Sequence, residues 1–328
     1  MTLFRPLLLT GLALAAGRLA ADVPAPLAAP KTTAPATPPP APAFAPPARG
    51  SDPSGLIVDL PAADTSSLPA DVIAQATAKL KELVARQNAL LTAAGQPGAD
   101  MDNIKRDIQT LLFDYDRYLR TYPTFAPGYV TYGLLLGKVG MRRESAAILL
   151  KANQLDANLP LVKNQLGNYL AEQGEPIEAA NYYLAAIQLA PNEPLYHYQL
   201  GTLLTEARDD FLQSGQWTRA QIDHTMQEAF KRAAELAPNN IAYAYAYAFS
   251  FYDLAVPDWD AALKAWGALE DRVTPGLEKE TVRLHAANVL IKQKKYDYAR
   301  LILNTVTVLE LQADKQKLLD QLPATPEK

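Results

Sequence analysis

The chain has 328 residues, a formal net charge of −4, 26 prolines and no cysteine. A mildly acidic balance gives no electrostatic footprint for nucleic acid or anionic lipid. The missing cysteines exclude disulfides, thiolate catalysis, Cys-based metal sites and a lipidated N-terminal cysteine, so stability must come from packing.

The first predicted element is a leader. Met1 to Arg5 supply a short basic start, and Pro6 to Gly17 form an apolar stretch of signal-peptide length. Small residues near Ala15 or Ala20 offer cleavage sites. The run is shorter than the ~20 residues that span a bilayer as a helix. The expectation is a signal peptide over 1–21 and a periplasmic or secreted mature protein that is not integral to the membrane. Residues 22–68 are rich in Pro, Ala and Thr, a composition that favours extended polyproline II, buries no core and reads as a disordered linker. Its one apolar island, Gly55 to Leu60, reads either as incidental or as a short docking segment.

A helix is predicted from Pro69, with Ile73, Leu80, Leu83, Val84, Leu90 and Leu91 as its apolar stripe, ending at Gly95 to Gly98. Asp102 is expected to cap a second helix through about Tyr122, with Ile104, Ile108, Leu111, Leu112, Tyr115 and Leu119 on its buried side. Beyond it Gly133, Gly167 and Gly201 recur at intervals of 34 residues. Such a period marks stacked helix–turn–helix units, each too small to bury its apolar face alone.

The unit from Ala126 carries Tyr129, Tyr132, Gly133, Leu136, Gly140, Leu149, Ala152 and Leu155. The unit from Pro160 carries Leu166, Gly167, Leu170, Gly174, Ala179, Tyr183, Ala186, Leu189 and Pro191. A third opens with Leu200, Gly201 and Leu204 and closes with Phe230, Ala233, Leu236 and Pro238 after an insertion. These residues resemble the tetratricopeptide repeat (TPR) family. A fainter fourth unit holds Tyr247, Ala248, Phe251, Ala262 and Trp266, and a fifth holds Leu290, Tyr296, Ala299 and Leu303. The resemblance implies an all-α fold over 69–323: an α-solenoid, a right-handed superhelix of TPR-like helix pairs, preceded by the disordered Pro-rich segment. Its clearest repeats are 126–159, 160–193 and 194–240, the last with an insertion at 207–222.

The small residues at these slots let paired helices approach at backbone distance, while Leu136, Leu170, Tyr183 and Phe230 fill the space between them. Each large side chain contributes about 1.5–3 kcal/mol on full burial. The insertion is expected to lengthen two helices into a protruding hairpin. Thr218 and Gln221 form a capping box there, with Trp217 and Ile222 at the positions of a hydrophobic staple. A last helix from Gln312 to Leu322 reads as a solvating cap.

No catalytic constellation is present. His197, His224 and His285 lie in distant units, outside any ligand spacing, and no nucleophile elbow or phosphate-binding loop occurs. The acid pairs Asp100/Asp102, Asp209/Asp210 and Asp258/Asp260 read as caps or solvated surface. The chain is therefore read as a non-enzymatic protein without cofactor or metal.

What the resemblance offers is a concave groove lined by the first helix of each unit. Its outward pairs are Val130/Leu134, Asn164/Asn168, Tyr198/Thr202 and Tyr245/Phe249. The family's carboxylate clamp needs Lys, Arg and Asn at set slots. Only the asparagines have counterparts here, because Val130, Leu134, Ala242 and Ala246 occupy the others. The lining is neutral, amide-bearing and aromatic. It suits a protein or peptide partner, with a scaffold in an envelope assembly or export complex as the leading expectation. A glycan- or polymer-binding module using the aromatic rings is the alternative. The alternating run Tyr243 to Phe249 is by itself a strand signal, which the repeat frame overrides in favour of helix.

Overall fold

The computed structural model describes residues 68–323. The leader, the Pro-rich linker before Leu68 and the island Gly55 to Leu60 lie outside the described residues. Fourteen α-helices and no strand occur among those described. In chain order they are α1 (Ala70–Ala94), α2 (Met101–Thr121), α3 (Ala126–Lys138), α4 (Arg142–Leu155), α5 (Pro160–Gln173), α6 (Pro176–Leu189), α7 (Pro194–Glu206), α8 (Arg208–Gln213), α9 (Arg219–Leu236), α10 (Ile241–Ser250), α11 (Trp259–Glu270), α12 (Leu277–Lys292), α13 (Tyr296–Asn304) and α14 (Gln312–Leu319). Consecutive helices pack in pairs, as the 34-residue period predicts. The run Tyr243 to Phe249 lies within α10 and is helical.

The described chain divides into two compact units. An N-terminal unit holds residues 68–203 with 209–213, and a C-terminal unit holds 204–208 with 214–323. In the N-terminal unit, Leu80 and Leu83 of α1, Leu111 and Tyr115 of α2, Leu135 and Leu136 of α3, Leu149 of α4 and Val162 and Leu166 of α5 share one core. The glycines act as expected. A Cβ on Gly133 would stand 2.7 Å from Leu149, and one on Gly167 would stand 2.7 Å from the Tyr183 ring. Only a residue without Cβ admits those side chains. Gly128 does the same for Tyr118, a close approach that the repeat frame does not mark.

Polar ties join α1 to α2. The Tyr118 hydroxyl donates to the Ala76 carbonyl at 3.0 Å, and the Tyr115 hydroxyl donates to Oε1 of buried Gln87 at 2.8 Å. One cap differs from expectation. Asp100, not Asp102, is the N-cap of α2, accepting from the Asn103 N–H at 3.0 Å. Asp102 already has helical geometry in the first turn, where its carboxylate cannot reach back to the free N–H groups.

The insertion also departs from a simple lengthening. Helix α7 stops at Glu206, and α8 is a separate six-residue helix whose Phe211 is fully buried. The helix of the third unit is therefore interrupted after Glu206 and not lengthened as one continuous helix. Asp209 and Asp210 lie in the first turn of α8, where negative charge favours a helix N-terminus. The capping box of α9 forms as read: Gln221 N–H donates to Thr218 Oγ1 at 3.3 Å, and Thr218 N–H donates to Gln221 Oε1 at 2.8 Å. Ile222 is buried and Trp217 half-buried.

In the C-terminal unit, Ala248, Phe251, Ala262, Trp266 and Val282 form one core, and Leu290, Ala299, Leu303 and Leu318 belong to a second. Asp258 caps α11 by accepting from the N–H groups of Asp260 and Ala261. Buried Asp223 pairs with Arg219 at 2.7 Å and accepts from the Ala255 N–H at 2.8 Å, fastening the turn after α10. Glu280 fastens the turn after α13, accepting from the N–H groups of Thr307 and Val308 at 2.6 and 2.7 Å. Burial opposes its charge, but those two N–H groups outweigh it and hold the carboxyl below its ordinary range. Helix α14 is shorter than predicted, ending at Leu319, and buries Leu318 against this second core.

Candidate binding face

The residues expected to line the groove fall into three environments. Val130 is 1 % exposed and belongs to the N-terminal core, and Asn164 is fully enclosed, so neither presents surface. Their helices are covered more deeply than an i, i+4 pattern can show. Leu134 is half-buried against the same core. Asn168, Tyr198 and Thr202 are half-buried, and the Thr202 hydroxyl is turned back onto the Tyr198 carbonyl at 3.0 Å.

Helices α5, α6 and α7 build an amide cluster around Asn168. Its Oδ1 accepts from the Tyr183 hydroxyl at 2.7 Å and from Gln199 Nε2 at 2.9 Å. The arrangement starts at Gly167, whose missing Cβ seats the Tyr183 ring and so delivers the hydroxyl to Asn168. Two donors on Oδ1 fix the amide flip and leave Nδ2 available to an outside acceptor. The Oε1 of Gln199 is enclosed without a hydrogen-bond partner, as are both polar atoms of Asn164 one turn back. An enclosed amide left unbonded costs about 1–3 kcal/mol. The sequence pointed to Asn164 and Asn168 but missed Gln199 and the Tyr183 hydroxyl. Gln199 stands next to Tyr198 and off the i, i+4 pair, while Tyr183 read only as a filler of the inter-helix space.

The C-terminal unit places Tyr245 and Phe249 in a different setting. The two rings stack on each other at 6.1 Å, and Tyr245 meets Trp266 edge-on at 5.2 Å. The Tyr245 hydroxyl shares a 2.9 Å hydrogen bond with Nε2 of His285. His285 in turn stacks flat on Trp266, with ring centroids 4.3 Å apart, and its carbonyl accepts from the Tyr252 hydroxyl at 3.1 Å. Burial disfavours the imidazolium and lowers the His285 pKa to about 4, and it raises the Tyr245 phenol. Half-buried Tyr245 and Phe249 are thus walls of an internal aromatic cluster, and the open stacking platform expected from them is not formed. Sequence spacing missed His285 because it lies 40 residues from its partner.

Among the described residues, no group of three or more His, Cys, Asp or Glu side chains is placed to hold a metal ion, and no helix is long and apolar enough to cross a membrane.

Among solved structures, YrrB, described as a TPR protein with an unusual peptide-binding site, matches at TM-score 0.51 and 18 % identity, covering 63 % of this chain and 96 % of that one. The chain has the tetratricopeptide-repeat fold. Two further TPR-fold matches are weaker. Pseudomonas aeruginosa pilF gives TM-score 0.48 and 16 % identity over 74 % of this chain and 99 % of that one. MamA from Desulfovibrio magneticus RS-1 gives 0.43 and 16 % over 57 % and 95 %. No family model and no curated protein matches the chain. At these identities the partner has to be argued from the residues themselves.

Proposed function

We propose that this protein is a non-enzymatic, extracytoplasmic TPR scaffold that binds an extended peptide segment of a partner protein through the amide cluster of α5 and α7. The observation that carries the reading is the half-buried amide of Asn168, whose Oδ1 is held by Tyr183 and Gln199 so that its Nδ2 is left to donate. A donor held in a fixed orientation suits a carbonyl of an extended peptide backbone. The peptide-binding site described for YrrB, whose fold is alike, supports the same class of ligand. The setting, an envelope assembly or export complex, rests on the leader at Met1 to Gly17. The glycan alternative loses its support because Tyr245 and Phe249 spend their faces and hydroxyl inside the aromatic cluster.

The test is a photo-crosslinking amino acid at half-buried Tyr198 in the full chain, expressed in its native envelope. Discrete cross-linked protein species are expected, absent with the crosslinker at exposed Lys151 and lost when Asn168→Ala is added. Identical products from both positions would overturn the reading.

A further inference from the structure

A cleft of about 300 Å³ opens between α1 and α2, lined by Arg86 and Arg117 together with Leu83, Tyr118 and Tyr122. Its polar lining is organised by one carboxylate. Asp114, only 14 % exposed, pairs with Arg86 through Oδ2 at 2.7 Å and with Arg117 through Oδ1. The hydrogen bond from Arg86 is the main influence holding the Asp114 carboxyl below its ordinary range, so it stays ionised. The Arg117 guanidinium also lies 5.9 Å from the ring centroid of Phe113, a phenylalanine otherwise left 62 % exposed. At the rim Lys79 and Glu82 neutralise each other at 2.5 Å.

The charges do not balance. One carboxylate serves two guanidiniums, which leaves one positive charge and several N–H donors of a rigid fork unused. The same cleft is lined by an aliphatic side chain and two tyrosine rings whose centroids lie 5.0 Å apart. A single anion with an apolar body complements this mixed lining. The volume sits at the small end of ligand pockets, which run from about 300 to 1,000 Å³, and so fits one or two side chains.

We propose that the α1–α2 cleft is a second binding site, which takes one carboxylate carried on a short apolar peptide segment. The occupant is a segment of this chain itself: Asp59 is flanked by Val58 and Leu60 and stands nine residues before Leu68. An extended chain covers at most ~3.3–3.6 Å per residue, which gives about 30 Å. The 18 residues from Leu68 to Arg86 rise ~1.5 Å each along α1, about 27 Å. Asp59 is within reach.

The experiment uses the full chain carrying Asp59→Asn and a labelled, end-blocked peptide of sequence Gly-Leu-Ile-Val-Asp-Leu, followed by fluorescence anisotropy. Saturable binding is expected, weakened at least tenfold when the peptide's Asp is replaced by Asn, and equally when the protein carries Arg86→Gln with Arg117→Gln. The peptide change leaves the protein untouched, so it separates loss of the site from loss of the fold. Weaker apparent binding to the wild-type chain is expected, because its own Asp59 competes for the cleft, and equal binding would overturn the assignment to that segment. Absence of binding at millimolar peptide, or equal binding of the Asn peptide, would overturn the proposal.

Discussion

The two units solve the same packing problem with opposite materials. The N-terminal unit removes atoms: Gly133 and Gly167 clear the space into which Leu149 and Tyr183 press. The C-terminal unit has Ala248 at the corresponding slot and adds atoms around it, with Phe251, Trp266 and the buried ring of His285 filling the interior. The difference matters for conditions as well as for shape. A contact between glycine and a ring has no charge state and is indifferent to pH. A core that encloses an imidazole must keep it neutral, so acid acts on the C-terminal unit directly.

The comparison can be broken most forcefully at Trp266, which is fully buried and stacked on His285. Trp266→Ala should cost about 3–5 kcal/mol, the range for emptying a large aromatic site. Trp217 and Trp259 also belong to the C-terminal unit, so their fluorescence during urea unfolding reports that unit even without Trp266. A midpoint that does not move would show that this aromatic core is not what holds the unit.

The next effect sharpens the contrast through pH. The folded His285 has a pKa of about 4, below the ordinary imidazole value of about 6.5. Above pH 6.5 the ring is neutral in both states, and its contribution to stability is fully present. As pH falls from 6.5 to 4, the unfolded chain takes up a proton that the folded chain refuses, and stability drops by up to about 3 kcal/mol. Glu280 is lost in a lower window, because its carboxyl is held below the usual range. His285→Phe keeps a flat ring on Trp266 and should flatten the fluorescence-detected stability between pH 6.5 and 4. A wild-type profile that is already flat in that window would contradict the buried neutral ring.

How far the sequence could be read follows the same division. The glycine spacing located the helix pairs and the contacts at Leu149 and Tyr183, because a missing Cβ has one packing meaning and a fixed period. The candidate face was only partly legible. The frame gave Asn164 and Asn168, yet it could not show that Asn164 is enclosed or that Gln199 and Tyr183 converge on Asn168 from two other helices. Those facts depend on how neighbouring helices rotate, which a one-dimensional period does not encode. Tyr245 failed for a related reason: its hydroxyl is claimed by His285, 40 residues away. The exchange of Asp102 for Asp100 as a cap is a two-residue shift between equally suitable side chains.

The smallest predicted effect tests the N-terminal half of the comparison at Gly167. An added Cβ would lie 2.7 Å from the Tyr183 ring and 3.2 Å from the Ala179 carbonyl oxygen. The ring could swing away, but the carbonyl is part of the α6 backbone and cannot move without the helix. Gly167→Ala should therefore cost about 1–3 kcal/mol despite the better helix propensity of alanine. All three tryptophans lie in the C-terminal unit, so the far-UV circular dichroism transition should shift while the tryptophan transition stays in place. Displacing the Tyr183 ring also withdraws its hydroxyl from Asn168, so cross-linking from Tyr198 should weaken in the same variant. If stability fell and cross-linking held, Gly167 would be a packing residue alone, and the seating of Tyr183 would have no part in binding.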